Sequence, residues 1–299
     1  MAAIPSEFEE RAFEAPLYNQ LEAGTRLVWC PGQVFEQYVG FDRALFLNDP
    51  LLWPIFGFRK PLRGALLNRY DWDFILRRRR RGEFPNFKLN LFIQAKRSHY
   101  YRRRPRQLAK LWSPRPCWRF DIQTDQQEAL AKIVERVGNR AIAVYAAPVF
   151  HRWLELNGHT SRGSILSHCT FPLVKQLSGH SAWYYSEPGG SGIANPDPTP
   201  IEGQLLESML RGAISNTDSP SNETPSSQLE ALSNLLFRAI AEDIPDENPR
   251  KAIFFERVRQ IRPLLEEFDN LPESTYHFLQ INAFAEAFSL DWYVVGKIG

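Results

Sequence analysis

The run Phe87-Lys-Leu-Asn-Leu-Phe-Ile93 alternates and then closes into an apolar stretch, the pattern of a buried strand. It ends in Gln94-Ala95-Lys96-Arg97. Side chains two apart on a strand share a face, so Gln94 and Lys96 leave the core side by side. A lysine so placed must reach a polar partner. About fifty residues upstream, Gly40-Phe41-Asp42 opens a second β-like run, Phe41 to Leu47. An Asp, a second oxygen ligand and a Lys on two neighbouring strands are what metal-assisted phosphodiester hydrolysis requires. Asp42 and Gln94 would hold a hard divalent ion, Mg2+ or Mn2+. Lys96 would orient or deprotonate the attacking water and offset charge on the phosphate.

The surrounding elements follow from periodicity. Pro5-Ser6 followed by Glu9 reads as an N-cap with a capping box. Phe13, Leu17 and Leu21 then recur at helical spacing up to Gly24. Leu27 to Cys30 is a short strand, and Val34 to Val39 leads into the Asp42 strand. Residues 48–85 read as a basic insertion. Thr124 to Val137 is a helix that Gly138 ends, and Ala141 to Ala147 is an apolar strand closed by Pro148. Ser181 to Tyr185 is a further strand candidate. Residues 187–225, rich in Pro, Gly, Ser and Asn, read as a loop-rich linker with one short helix, Ile201 to Gly212. Three helices follow within a helical C-terminal region, 226–299. Two carry apolar stripes, Ile253-Phe254-Val258-Ile261-Leu265 and Ile281-Phe284-Ala285-Phe288. Those stripes suit a surface for a regulatory partner or a second copy, or equally packing on the rest of the fold.

The order helix, strand, strand, strand, helix, strand, with Asp42 and Gln94-Ala95-Lys96-Arg97 in place, resembles the PD-(D/E)xK nuclease superfamily. The form is the Gln-x-Lys variant of Mrr-like restriction endonucleases. The resemblance covers residues 6–150 within a domain spanning 1–186. It implies an α/β fold with a restriction-endonuclease-like αβββαβ core. It also implies a Mg2+-dependent endodeoxyribonuclease serving bacterial restriction or anti-phage defence. In the superfamily a Glu of the opening helix often helps hold the metal, and Glu10, three residues before Phe13, takes that place. Glu36, just before Gly40-Phe41-Asp42, is its rival. Gln94 departs from the superfamily's carboxylate and brings a weaker, neutral ligand.

Charge separates the halves of the chain. Residues 1–150 hold 25 Lys/Arg against 15 Asp/Glu, residues 151–299 hold 11 against 19, and residues 59–119 alone hold 19 against three. A solvated charged face mixes signs, whereas this segment does not. It carries Arg77, Arg78, Arg79, Arg80 and Arg81, then Arg97, Arg102, Arg103, Arg104 and Arg106, interleaved with Tyr100, Tyr101, Trp112 and Trp118. Arginine forks fit phosphates and the aromatics could stack on unpaired bases, so a nucleic acid is the expected partner, and the resemblance implies that it is DNA, double-stranded. Gln126 and Gln127 could face the same site, although polarity at a helix start explains them.

Other chemistries are poorly served. Cys30, Cys117 and Cys169 form no CxxC pair, the histidines are scattered, and Gly189-Gly-Ser-Gly192 lacks the lysine of a phosphate loop. The N-terminus lacks the pattern of a signal peptide and no 18-residue apolar run occurs, so a cytoplasmic protein without a membrane span is expected. Two other readings remain open. One is a catalytically inactive nucleic-acid-binding or scaffold subunit of a defence complex, and the other is an RNA-processing enzyme.

Overall fold

The computed structural model describes residues 3–25, 28–29, 87–108, 110–111, 116–216, 223–266 and 274–296. Asp42, Glu36, Arg77 to Arg81 and Trp112 lie outside these residues, as do the strand expected at 41–47 and the whole basic insertion, 48–85. Among the described residues the chain is mixed α/β, with seven α-helices and two sheets.

The strand Phe87–Ala95, β3, organises the larger layer. It is buried at all but one position, as its apolar run requires. On one side it pairs in parallel with β6, Ala141–Pro148. On the other it pairs antiparallel with β11, Asp291–Gly296, which in turn pairs with β2, Val28–Trp29. With β7, Cys169–Thr170, beside β6, the sheet order is β2-β11-β3-β6-β7. Alternation divides the side chains of β3 between two cores. Leu89, Leu91, Ile93 and Ala95 face Phe13, Leu17 and Leu21 of α1, Glu10–Thr25, with Leu206, Met209 and Leu210 of α4, Leu206–Ser215. Phe92 faces α2, Thr124–Val137, α5, Pro225–Asp243, and α7, Ser274–Ala287. A sheet covered by helices on both faces is what near-continuous apolar strands demand.

The smaller sheet is antiparallel, in the order β1-β4-β5-β8-β9-β10. It is built from Ile4–Pro5, His99–Tyr101, Cys117–Asp121, Ala182–Tyr185, Gly192–Asn195 and Thr199–Ile201. The chain passes from one sheet to the other through Lys96-Arg97-Ser98. Ser6 Oγ donates to the Ser98 carbonyl at 2.7 Å, and Ser98 Oγ donates to the Phe150 carbonyl at 3.2 Å. Ser6 is therefore not the expected N-cap. α1 begins at Glu10, because Ser6 is drawn into the sheet junction and Glu9 pairs with Arg97. The remaining helices are α3, Trp153–Arg162, and α6, Pro249–Glu266.

Two stretches differ from their sequence reading. Residues 187–225, expected as a linker with one short helix, contain β9 and β10 besides that helix, α4, whose buried Leu206 and Leu210 seal the α1 core. The C-terminal region supplies β11 to the interior of the main sheet. Its apolar stripes are packed internally: Phe254, Ile281, Phe284 and Phe288 are buried, and of the first stripe Ile253 stays exposed. They belong to the core that also holds Leu130 and Ile133 of α2.

One buried polar joint ties β11 to β3. Trp292 Nε1 donates to Asn90 Oδ1 at 3.0 Å, and Asn90 Nδ2 donates to the Arg140 carbonyl at 3.1 Å. Asn90→Ala leaves two buried groups unpaired, at about 1–3 kcal/mol for each. Urea unfolding is expected to show that loss, and a midpoint equal to wild type would remove the joint from the fold's stability. A chain ended after Ser219 lacks β11, α5, α6 and α7, and is expected to be insoluble or unfolded by circular dichroism. A soluble, cooperatively melting fragment would contradict the placement of β11.

Candidate functional site

The carboxyl ends of parallel strands are where α/β sheets place ligands, because the connecting loops diverge there. β3 and β6 end together: Lys96 N donates to the Ala146 carbonyl at 2.8 Å, the last rung before β3 turns away. Gln94 and Lys96 stand at this end, as the strand alternation predicts. Gln94 is 5% exposed, its Nε2 donates to the Ser289 carbonyl at 3.4 Å, and its Oε1 accepts no hydrogen bond among the described residues. Lys96 is half-buried with its Nζ 5.4 Å from the centre of the Tyr145 ring. It makes no ion pair with a described residue.

Glu10, the first residue of α1, joins them. Its Oε2 accepts from the Arg97 backbone N–H at 3.1 Å, which holds the carboxylate against the turn after Lys96. Burial pulls the Lys96 amine below lysine's ordinary range. Glu10 opposes that shift, Arg250 adds to it, and Asp121 opposes it. Asp121 closes β5 and pairs with Arg119, and it lies 3.8 Å from His99 Nε2.

The start of α2 forms a wall. Gln126 and Gln127 are buried, which surface polarity at a helix start does not explain. Gln126 Nε2 donates to the Phe288 carbonyl at 2.5 Å, and Gln127 Nε2 donates to the Val174 carbonyl at 2.5 Å. Gln127 Oε1 accepts from the Tyr145 hydroxyl. The phenol that lies under Lys96 is thus fixed by a helix residue, and burial pushes its pKa well above the ordinary tyrosine value.

Residues that the sequence did not mark also come close. Arg250 reaches in from the first turn of α6. Asp291, opposite Ile93 in the sheet, stands on the α1 face with Glu14 and Tyr18, away from Gln94. Burial raises the Asp291 carboxyl while Tyr18 opposes it, and Asp291 in turn raises Glu14 after burial has done so. The Tyr18 hydroxyl faces that carboxylate without closing a well-formed hydrogen bond. Arg250, Asp121 and Asp291 are assembled only by long-range packing, so no local pattern could have found them.

Of the expected DNA contacts, Arg97 is occupied internally, with Glu9 at 3.1 Å and the Ser6 carbonyl at 2.5 Å. Arg102, Arg103 and Arg106 are exposed and Arg104 is half-buried. Tyr100 stacks on His151, with ring centres 4.3 Å apart, and also meets the tilted ring of Trp118 at 5.5 Å, so its ring is already engaged. Among the described residues no group of three His, Cys, Asp or Glu side chains converges to hold a metal ion, and no helix is long and apolar enough to cross a membrane.

The lowered Lys96 pKa has a consequence for stability. The unfolded chain binds the proton more tightly than the folded one, so folding gains stability as pH rises through the interval between the two pKa values. Lys96→Met is therefore expected to raise Tm at neutral pH, by an amount that fades toward pH 10. A variant whose Tm is lowered at pH 7 would show that the buried amine is compensated. No protein-family model matches this chain, and no curated protein or solved structure matches it either.

Proposed function

We propose that the chain is a metal-dependent DNA endonuclease built on a restriction-endonuclease-like core. The observation that carries this reading is the arrangement at the end of β3: Gln94 and Lys96 on one face, Glu10 held at the Arg97 N–H next to Lys96, and Gln94 Oε1 buried without a donor among the described residues. A buried acceptor left unpaired costs about 1–3 kcal/mol, and a cation would remove that cost. The residues present therefore fit a Mg2+ or Mn2+ ion. Gln94 and Glu10 would hold it with Asp42, and Glu36 is the alternative to Glu10. The ion would polarise the phosphate and acidify its water. Lys96, its proton made easier to lose by burial, would take the proton of the attacking water or hold that water in line. Glu10, fixed by the Arg97 N–H, would keep the lysine oriented, and Arg102, Arg103, Arg104 and Arg106 would lie along the DNA backbone. By analogy with the resembled enzymes, the setting is restriction or anti-phage defence in the cytoplasm.

One observation favours a second reading, a non-catalytic nucleic-acid-binding subunit. Gln94 bonds the Ser289 carbonyl and Lys96 rests on Tyr145, roles that purely structural residues also fill.

Supercoiled plasmid with Mg2+ separates the two. Wild type is expected to nick or linearise it. Lys96→Ala is expected to lose at least about a hundred-fold in rate, the scale of one acid–base group, while DNA binding by fluorescence anisotropy is retained. A cleavage rate equal to wild type would rule out Lys96, and inert wild type with intact binding would favour the second reading. Gln94→Glu restores a carboxylate and is expected to change the Mg2+ to Mn2+ activity ratio. Indifference to the change would place Gln94 outside the metal's reach. Replacing Arg102, Arg103 and Arg106 by Gln should lower the log–log salt slope of DNA binding by about 0.9 for each phosphate no longer neutralised. An unchanged slope would mean that the three touch no phosphate.

A further inference from the structure

Arg250 belongs to α6, yet its side chain leaves that helix for the mouth of the site. Nη1 donates to the Ala287 carbonyl at 2.9 Å and Nη2 to Gln123 Oε1 at 3.4 Å, and the guanidinium carbon lies 5.9 Å from the centre of the Phe288 ring. No carboxylate among the described residues pairs with it. The same turn, 287–289, receives the Gln126 and Gln94 amides, the latter with its buried Oε1 unpartnered among the described residues. Gln123 is the N-cap of this 14-residue helix, α2, and its side chain makes no capping hydrogen bond to the first N–H groups. Two cations, Lys96 and Arg250, thus lie near this helix start, and neither is ion-paired with a carboxylate among the described residues. Asp121, Glu10 and Asp125 are the acids nearby.

We propose that Arg250 is a phosphate-binding residue of this site, gripping a phosphodiester oxygen together with Lys96 and the N-terminus of α2. A half-buried guanidinium bonded only to neutral acceptors among the described residues is costly unless an anion meets it, and its planar fork fits phosphate. The helix dipole adds positive potential at the same place. Burial lowers the Arg250 pKa, as expected of a cation held without its counter-ion. That the phosphate belongs to DNA rests on the nuclease reading, whereas anion binding by Arg250 does not.

Inorganic phosphate is the probe. Thermal melts of the full chain in phosphate, against chloride of equal ionic strength, are expected to show a phosphate-specific rise in Tm. In Arg250→Gln the apparent affinity should fall about ten-fold, the scale of one charge-assisted hydrogen bond. Arg250→Lys, which keeps the charge, should recover part of it and guards against a Gln variant that folds poorly. If Arg250 merely caps the end of α7, Arg250→Gln will lower Tm equally in both salts and keep the full phosphate increment, which overturns the proposal. Absence of a phosphate-specific rise in wild type overturns it too. Plasmid cleavage by the same variants reports on the nuclease reading separately. An active wild type with an equally active Arg250→Gln would discard the residue and keep the enzyme, while an inert wild type that still binds phosphate through Arg250 would do the reverse.

Discussion

β3 accepts hydrogen bonds from neighbours on both sides and carries apolar side chains on both faces, and the rest of the molecule is arranged to make that possible. Such a strand has no edge and no solvated face, so a helical layer must cover each side: α1 with α4 on one, α2 with α5 and α7 on the other. Each apolar side chain so enclosed contributes roughly 1.5–3 kcal/mol relative to exposure, which makes the strand an anchor rather than a surface. Apart from Asn90, whose amide is paired on both sides, polarity enters at its ends. At the carboxyl end the chain leaves for the second sheet, and the room opened by that departure is where Gln94 and Lys96 lie.

That end of the sheet is organised by amides more than by carboxylates. Gln94, Gln123, Gln126 and Gln127 bond backbone carbonyls, a guanidinium and a phenol, so they position their neighbours without adding charge. Amides are stiff, neutral joints inside a low dielectric. Replacing any one by an acid would cancel part of the field of Lys96 and Arg250. The amide chemistry and the two poorly compensated cations are thus one arrangement, suited to a ligand that arrives with its own negative charge.

What the sequence made legible was whatever announced itself by period. β3, α2, β6 and the three C-terminal helices lie within a few residues of their expected bounds, because each carries an uninterrupted apolar repeat. β4 and β5 went unread, since Tyr100, Trp118 and Arg119 sit in a run dominated by arginine, whose charges hide a two-residue alternation. β9 and β10 were concealed by proline and glycine, whereas α4 was read as a short helix a few residues too early. Ser6 illustrates a different failure: its capping pattern is genuine, but the Ser98 carbonyl 92 residues away competes for the hydroxyl and wins. Half of the site shared that fate. Gln94, Lys96 and Glu10 could be named from neighbouring residues, while Asp121 and Arg250 become neighbours only after the helical layer has packed.

The insertion of β11 beside β3 has a kinetic side. The Trp292 to Asn90 hydrogen bond spans 202 residues, so the central rung of the sheet joins segments that emerge far apart during synthesis. Contacts of such separation are slow to form, because loop closure must be achieved before pairing rewards it. Until β11 docks, β3 presents an unpaired, apolar edge of the kind that recruits other chains. A nascent chain therefore keeps its most adhesive strand half paired until the segment between β3 and β11 has been made, and its dependence on chaperones should track the arrival of the six-residue β11 rather than the length of the polypeptide.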